Sequence, residues 1–189
     1  MKISTIIPVY NGAAYLRRAV DSLLATRDPD LEIVIVDDGS QDDSAAIADA
    51  LQHEFPGCVR FARHPRGENR GVSATRNAGI QVSTGEWLAL LDADDYVRPH
   101  RFDSARSILS TRPEVDGVYQ LCEMEFATEQ ARQTWWNTKT TFGFEQPIDP
   151  QELIFALLRG ACWATSAVVF RRSLLGRTGM FDPQLKLAE

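Results

Sequence analysis

Basic residues are in short supply: 20 Lys and Arg stand against 26 Asp and Glu, a net charge of −6. A general nucleic-acid binder normally shows a basic surface, so the balance argues against that class. It leaves room for a small anion held by a local site. Cysteine is scarce as well. Cys58, Cys122 and Cys162 are odd in number, far apart and without a C-x-x-C pair. They read as reduced, partly buried thiols of a cytoplasmic protein. His53, His64 and His100 are scattered, so no histidine metal site is read. Long apolar runs are missing, and no window approaches the roughly 20 residues of a membrane span. The opening MKISTIIPVYNG has one Lys and a short apolar run broken by Pro8, which is too short for a signal peptide. A peripheral place at the inner face of a membrane, reached through residues beyond this chain, stays open. Repeats, low-complexity tracts and a dividing linker are also lacking. With 44% apolar residues over 189 positions, the chain can bury a substantial core and suits one domain better than two.

The elements alternate. Residues 3–9 read as a buried strand closed by Pro8 and the Asn11-Gly12 turn signal. Over 13–26, Leu16, Ala19, Val20, Leu23 and Leu24 recur at helical spacing. LEIVIV at 31–36 is a second strand, followed by a helix over 42–55 with Asp42 as its cap and Pro56 after it. A short strand at 59–62, a polar loop, a helix at 73–82 and a strand at 87–91 come next. Beyond Pro99 the pattern gives a helix to about 112, a strand at 115–125 and a turn-rich segment through Gln146 holding Trp135 and Trp136. A short helix at 152–158 and a strand at 164–170 complete it. Strands alternating with helices imply a mostly parallel sheet covered on both faces, whose ligands gather at the strand carboxyl ends.

EWLALLDADDY is the most telling stretch. An apolar run from Trp87 to Leu91 delivers Asp92, Asp94 and Asp95 to one strand end. Like charges so close repel by roughly 1–4 kcal/mol per pair. A bound Mg²⁺ or Mn²⁺, which favours hard oxygen ligands and also holds substrate phosphates, would offset that; otherwise the turn is a solvated one. Asp37 and Asp38 end another apolar strand, where one carboxylate can accept hydrogen bonds from a base or a ribose, or cap the next helix. In ENRGVSATRNAGI, Gly71 permits an unusual turn, Ser73 is a candidate cap, and the helix start presents N–H groups to anions. Arg70 and Arg76 are candidate phosphate partners. Arg76 has two other options, a surface salt bridge or an internal one to Asp92. All these motifs fall at strand carboxyl ends and can share one crevice suited to a nucleoside diphosphate.

IIPVYNGAAYLRRAVDSLL, IVIVDDGSQDDS, ENRGVSATRNAGI and GEWLALLDADDYVRP, together covering about residues 3–102, resemble the successive signatures of family 2 glycosyltransferases. FRRSLLGRTGMFDPQLKLAE resembles the segment leading into that family's Glu-Asp motif, and 110–160 matches loosely. The resemblance implies a GT-A (Rossmann-like) α/β fold, a mostly parallel central sheet flanked by helices, here C-terminally truncated. It implies one domain over 1–189, with a nucleotide-sugar half at 1–98 and an incomplete acceptor-side half at 99–189. It implies that Pro8, Val9 and Tyr10 line a base pocket, that Asp38 binds the base with Asp37 near it, and that Asp94 ligates Mn²⁺ or Mg²⁺. Asp92 would join the metal site, contact the ribose or hold the loop through Arg76.

The reaction so implied is inverting transfer from a nucleotide-sugar, UDP-linked by family frequency, to a hydroxyl of a carbohydrate or lipid-linked acceptor. Its setting would be bacterial polysaccharide or glycolipid assembly. The family's base is the Asp of the Glu-Asp pair. Glu189 is expected to be the first member of that pair and the base to follow it outside this chain, the alternative being Asp182 or Glu189 itself. Three other classes are weighed. A receiver-like signalling domain lacks a Lys at a suitable strand end, with only Lys139 and Lys186 downstream. A dinucleotide oxidoreductase lacks a G-x-G-x-x-G turn, while a non-catalytic nucleotide-sugar module would share the donor site. Trp135, Trp136 and Trp163 are read as packing residues in preference to sugar-stacking ones.

Overall fold

The computed structural model describes residues 1–123, 125–126, 128–137, 148–158 and 164–185. β1 (Ile3–Val9) and β2 (Leu31–Asp37) are buried at every position, as expected of strands covered on both faces. β3 (Val59–Arg63) and β4 (Trp87–Leu90) complete a parallel set, with β3 beside β2 and β4 beside β1. β6 (Val168–Arg171) joins β4 antiparallel, and β5 (Gly117–Tyr119) pairs with β6 at the edge. The sheet order is β3-β2-β1-β4-β6-β5. The chain thus steps outward from β1 through β2 to β3, then returns to the other side of β1 with β4. That reversal opens a crevice beyond the carboxyl ends of β1 and β4.

Strand alternation divides the core in two. Ile3, Ile7 and Val9 of β1 pack with Ile33, Ile35, Trp87 and Ala89 on the face covered by α1 (Ala13–Leu24) and α2 (Ser44–Glu54). Ile6 packs with Val34, Val36, Leu88 and Leu90 on the face covered by α3 (Val72–Val82). On α1 the buried residues are Leu16, Ala19, Val20 and Leu23, one stripe of a 3.6-residue period. α4 (Asp103–Thr111) adds Ala105 and Leu109 to the first face. No helix among the described residues is long and apolar enough to cross a membrane.

Several sequence expectations need correction. The edge strand β5 is three residues long where 115–125 was expected, because its one strand partner is the short β6. The expected strand at 164–170 opens as a 3-10 turn, Thr165–Ala167, before β6 begins. Within the expected turn-rich region, α5 (Glu129–Asn137) holds Trp135 and Trp136, and α6 (Pro150–Leu158) starts before Glu152. Cys162, Trp163, Lys139, Lys186, Gln146 and Glu189 lie outside the described residues. Ser73 is not the cap of α3, since the helix already includes it and Gly71 precedes. Asp42 lies two residues before α2, where it accepts the amides of Ser44 and Ala13, both at 3.0 Å, and so ties the starts of α1 and α2 together.

At the opposite, N-terminal end of the sheet, Glu32 is buried and holds two neighbouring segments. It accepts from the Ser4 hydroxyl (2.5 Å) and from the amide (2.7 Å) and hydroxyl (3.1 Å) of Thr84. Burial raises its pKa, but the Ser4 and Thr84 hydrogen bonds, with help from Lys2, outweigh it and hold the carboxyl below the usual value. A depressed carboxyl contributes stability that is complete above the unfolded pKa of about 4.3 and is lost as pH falls through the lower folded value. Glu32→Gln should therefore melt below wild type at neutral pH, and the gap should narrow on acidification. Melting curves from neutral pH down through that window check this; a gap that widens in acid refutes it.

Candidate functional site

The Asn11-Gly12 turn after β1 is fastened to the turn after β2. The Asn11 amide donates to Ser40 Oγ (3.0 Å), the Gln41 amide to Asn11 Oδ1 (2.8 Å), and the Gly12 amide to Ser44 Oγ (2.9 Å). The Asp38 amide donates to the Val9 carbonyl at 2.8 Å, which extends the β1–β2 ladder to the strand ends. PVYNG and DDGS are therefore one rigid ledge.

The 64–71 loop closes over that ledge. The Asp38 carboxylate is buried and accepts the Arg70 amide on Oδ1 (2.7 Å) and the Gly71 amide on Oδ2 (3.0 Å). Asp37 is fully buried; its Oδ1 accepts the Ser40 amide (3.1 Å) and Oδ2 lies 3.7 Å from Arg63. Asp37 is not among the residues lining the cleft. Adjacent carboxylates of an extended chain point apart, so only one of the pair can look into the crevice.

On the other side, α3 brings Arg76 to the end of β4. The Arg76 side chain is 7% exposed and donates to Asp92 Oδ1 at 2.7 Å. Of the options open from the sequence, the structure shows the internal pair. Thr165 donates to Asp92 Oδ2 (3.2 Å). Ser166 Oγ accepts the Asp92 amide (3.2 Å) and donates to Asp95 Oδ2 (2.5 Å). The 3-10 turn before β6 thus braces the acidic loop. Partial desolvation raises the Asp95 carboxyl's pKa, opposed by the Ser166 bond, and the charges of Asp92 and Asp94 add to the rise. Asp94 is exposed at the cleft and makes no hydrogen bond or ion pair with a described residue.

These pieces enclose a cleft of about 530 Å³. Pro8, Val9, Tyr10, Asp38, Arg76, Asp92 and Asp94, all singled out in the sequence, line it together. So do residues that sequence reasoning did not select, among them Asn11, Tyr15, Asn69 and Thr165. Asn11 had a signal in its turn; Thr165, far along the chain, had none. Asp182 accepts the Gln184 amide (2.9 Å) in a turn and is not among the lining residues.

The donor set bears on the metal question. Among the described residues no group of three or more His, Cys, Asp or Glu is arranged to hold an ion. Asp92 has both oxygens engaged while Asp94 is uncommitted. One or two carboxylates beside an open cleft fit Mg²⁺ or Mn²⁺, which keep several waters and share their coordination with phosphates.

The family model for glycosyl transferase family 2 matches residues 4–172. The chain belongs to that family. An uncharacterized glycosyltransferase of Nostoc sp. is 35% identical over 186 residues, which is 97% of this chain and 55% of that protein. The succinoglycan biosynthesis protein ExoO of Rhizobium meliloti is 37% identical over 99 residues, 52% of this chain and 27% of its own length. The chain spans about half the length, or less, of these curated relatives. Among solved structures, S. aureus TarS covers all of this chain at TM-score 0.73 and 21% identity, with 52% of TarS 1–349 matched. TarS has also been solved with UDP-GlcNAc. The mannosyltransferase PcManGT of Pyrobaculum calidifontis, solved with GDP-Man and Mn²⁺, covers 96% of this chain at TM-score 0.68 and 22% identity, with 48% of PcManGT matched. At such identities the likeness speaks for the fold, and the α/β architecture expected from the sequence is the GT-A one.

Proposed function

We propose that the cleft binds a nucleoside-diphosphate sugar with Mn²⁺ or Mg²⁺, and that the protein transfers the sugar with inversion to an acceptor hydroxyl. The observation that carries the proposal is convergence: Asp38, the Arg76–Asp92 pair and Asp94, from three separate segments, line one cleft at the switch point of the sheet. Pro8, Val9 and Tyr10 flank the base, and Asp38 accepts its N–H. Asp37 acts behind Asp38 by holding the Ser40 turn. Arg76 fixes Asp92, and Asp92 takes the ribose or the metal. Asp94 holds the ion. When bound, the ion supplies Lewis-acid and electrostatic stabilisation of the departing diphosphate. Residues 1–98 form the donor half and 99–189 the acceptor-side half, and Glu189 is assigned to the carboxylate pair that carries the general base.

The donor is proposed to be a UDP-sugar. The structures with UDP-GlcNAc and GDP-Man support a nucleotide-sugar of this class. The acceptor is proposed to be a growing polysaccharide or glycolipid, a reading supported by the likeness to ExoO. A cytoplasmic location belongs to the same proposal and rests on free Cys58 and Cys122.

A thermal-shift panel of UDP, GDP and dTDP, each with and without Mn²⁺, tests the reading. A ligand at 100 times its dissociation constant stabilises the fold by about 2.7 kcal/mol. In a chain of this length that is roughly 5–11 °C. One nucleotide should produce such a shift and Mn²⁺ should enlarge it. No shift with any of the three would sink the proposal.

A further inference from the structure

His64 follows β3 in a polar, proline-containing loop and was read from the sequence as one of three scattered histidines. It is 4% exposed. Its Nε2 lies 3.0 Å from Thr75 Oγ1 and 3.3 Å from Asp38 Oδ1. Thr75 is itself fully buried, and its hydroxyl donates to the Gly71 carbonyl at 2.9 Å. A carbonyl can only accept, so the single hydroxyl proton of Thr75 is spent there. Toward His64 the hydroxyl is an acceptor, as is the Asp38 carboxylate. The proton must then sit on Nε2, and His64 donates to Thr75 with Asp38 Oδ1 close by at 3.3 Å.

Counting acceptor sites on Asp38 shows what this donation does. A carboxylate offers about four lone-pair directions. The Arg70 amide bonds Oδ1, His64 Nε2 stands against the same oxygen at 3.3 Å, and the Gly71 amide takes one direction of Oδ2. One direction is left, on a residue that lines the cleft. We propose that His64 is a positioning residue of the nucleotide site. By donating to Thr75 and standing against Asp38 Oδ1 it limits the carboxylate's rotation and locks the 64–71 loop to α3. A single acceptor direction then faces the base. The inference rests on the proposed nucleotide-binding function and deepens it. Uracil offers its N3–H to such an acceptor, whereas cytosine presents a bare ring nitrogen at the same place, whose lone pair the carboxylate repels. His64 thus acts, through Asp38, on base selection.

Calorimetric titration of the 189-residue chain with UDP and with CDP, both with Mn²⁺, tests this. His64→Leu should weaken UDP binding by about tenfold, the scale of losing one polar contact to a charged group, and pull the UDP-to-CDP affinity ratio toward one. His64→Gln, whose amide N–H can donate in place of Nε2–H, should restore most of the ratio. In an Asp38→Asn background His64→Leu should change UDP affinity little, because the two act as a unit. Thr75→Val, which removes the shared acceptor, should also lower the ratio, and it serves if His64→Leu does not fold. A purely structural histidine would lower both affinities alike or only the melting temperature. His64→Leu or Thr75→Val with an unchanged ratio, or Gln no better than Leu, overturns the inference while wild-type UDP binding stands. Wild type that binds no nucleotide overturns the functional reading and this inference with it.

Discussion

Gly39→Ala is expected to lower the melting temperature by roughly 6–12 °C and to remove nucleotide binding, while Gly57→Ala, at nearly the same backbone angle, should cost about half that shift, roughly 3–6 °C, and leave binding intact. Gly39 has φ of +79° and Gly57 of +85°, so an alanine at either pays about 1–2 kcal/mol for a left-handed conformation. Their surroundings differ. A Cβ on Gly57 meets nothing within 4 Å, but one on Gly39 would stand 2.7 Å from the Gly67 carbonyl oxygen and 2.8 Å from the Asn69 amide nitrogen. Those are backbone atoms of the loop that donates the Arg70 and Gly71 amides to Asp38. The loop must lift, and overpacking of that kind adds about 1–3 kcal/mol. The sum is about 3 kcal/mol, which gives the stated shift for a chain of this length. Differential scanning calorimetry of both variants, with and without UDP, makes the comparison. Equal losses in the two would show that the loop does not rest on Gly39 in solution.

The sheet was legible because strands covered on both faces must be apolar at nearly every position. ISTIIPV and LEIVIV, with Ser4, Thr5 and Glu32 the polar exceptions, therefore announce themselves. The strand ends were legible for a related reason, since charge that cannot enter the core collects where the core stops, as at Asp37, Asp38 and Asp92. What those charges do was less visible. Sequence adjacency treats Asp37 and Asp38 alike, whereas the extended chain turns one inward to the Ser40 amide and the other toward the 64–71 loop. His64 escaped because a loop with Pro65 and Gly67 has no period from which burial can be inferred. The brace from Thr165 and Ser166 escaped because 73 and 71 residues separate them from Asp92 and Asp95. Only the antiparallel return of β6 beside β4 brings them together.

That brace makes the carboxylates of Asp92 and Asp94 separable by experiment. Asp92 takes Arg76 on one oxygen and Thr165 on the other, and the Arg76 guanidinium it neutralises is buried. Asp92→Ala leaves that charge without a partner. Removing one member of a wholly buried pair costs about 3–5 kcal/mol. Asp92 is 37% exposed, so solvent screening brings the expected loss down to about 1–3 kcal/mol, visible as a lower melting point before any ligand is added. Asp94 has no such duty. It is exposed and makes neither hydrogen bond nor ion pair with a described residue, and its charge disfavours ionised Asp95. Asp94→Ala should therefore leave the free protein's stability within about 0.5 kcal/mol of wild type. Under the proposed function, the Mn²⁺-dependent gain in UDP affinity should vanish, and sugar transfer should fall on the order of 10²-fold or more, the scale of losing an electrostatic stabiliser of the leaving group. A thermal melt of each variant, followed by UDP titration with and without Mn²⁺, separates the two roles. If Asp94→Ala keeps the full Mn²⁺ increment, the ion is held by other groups and Asp94 is only a solvated residue of the turn.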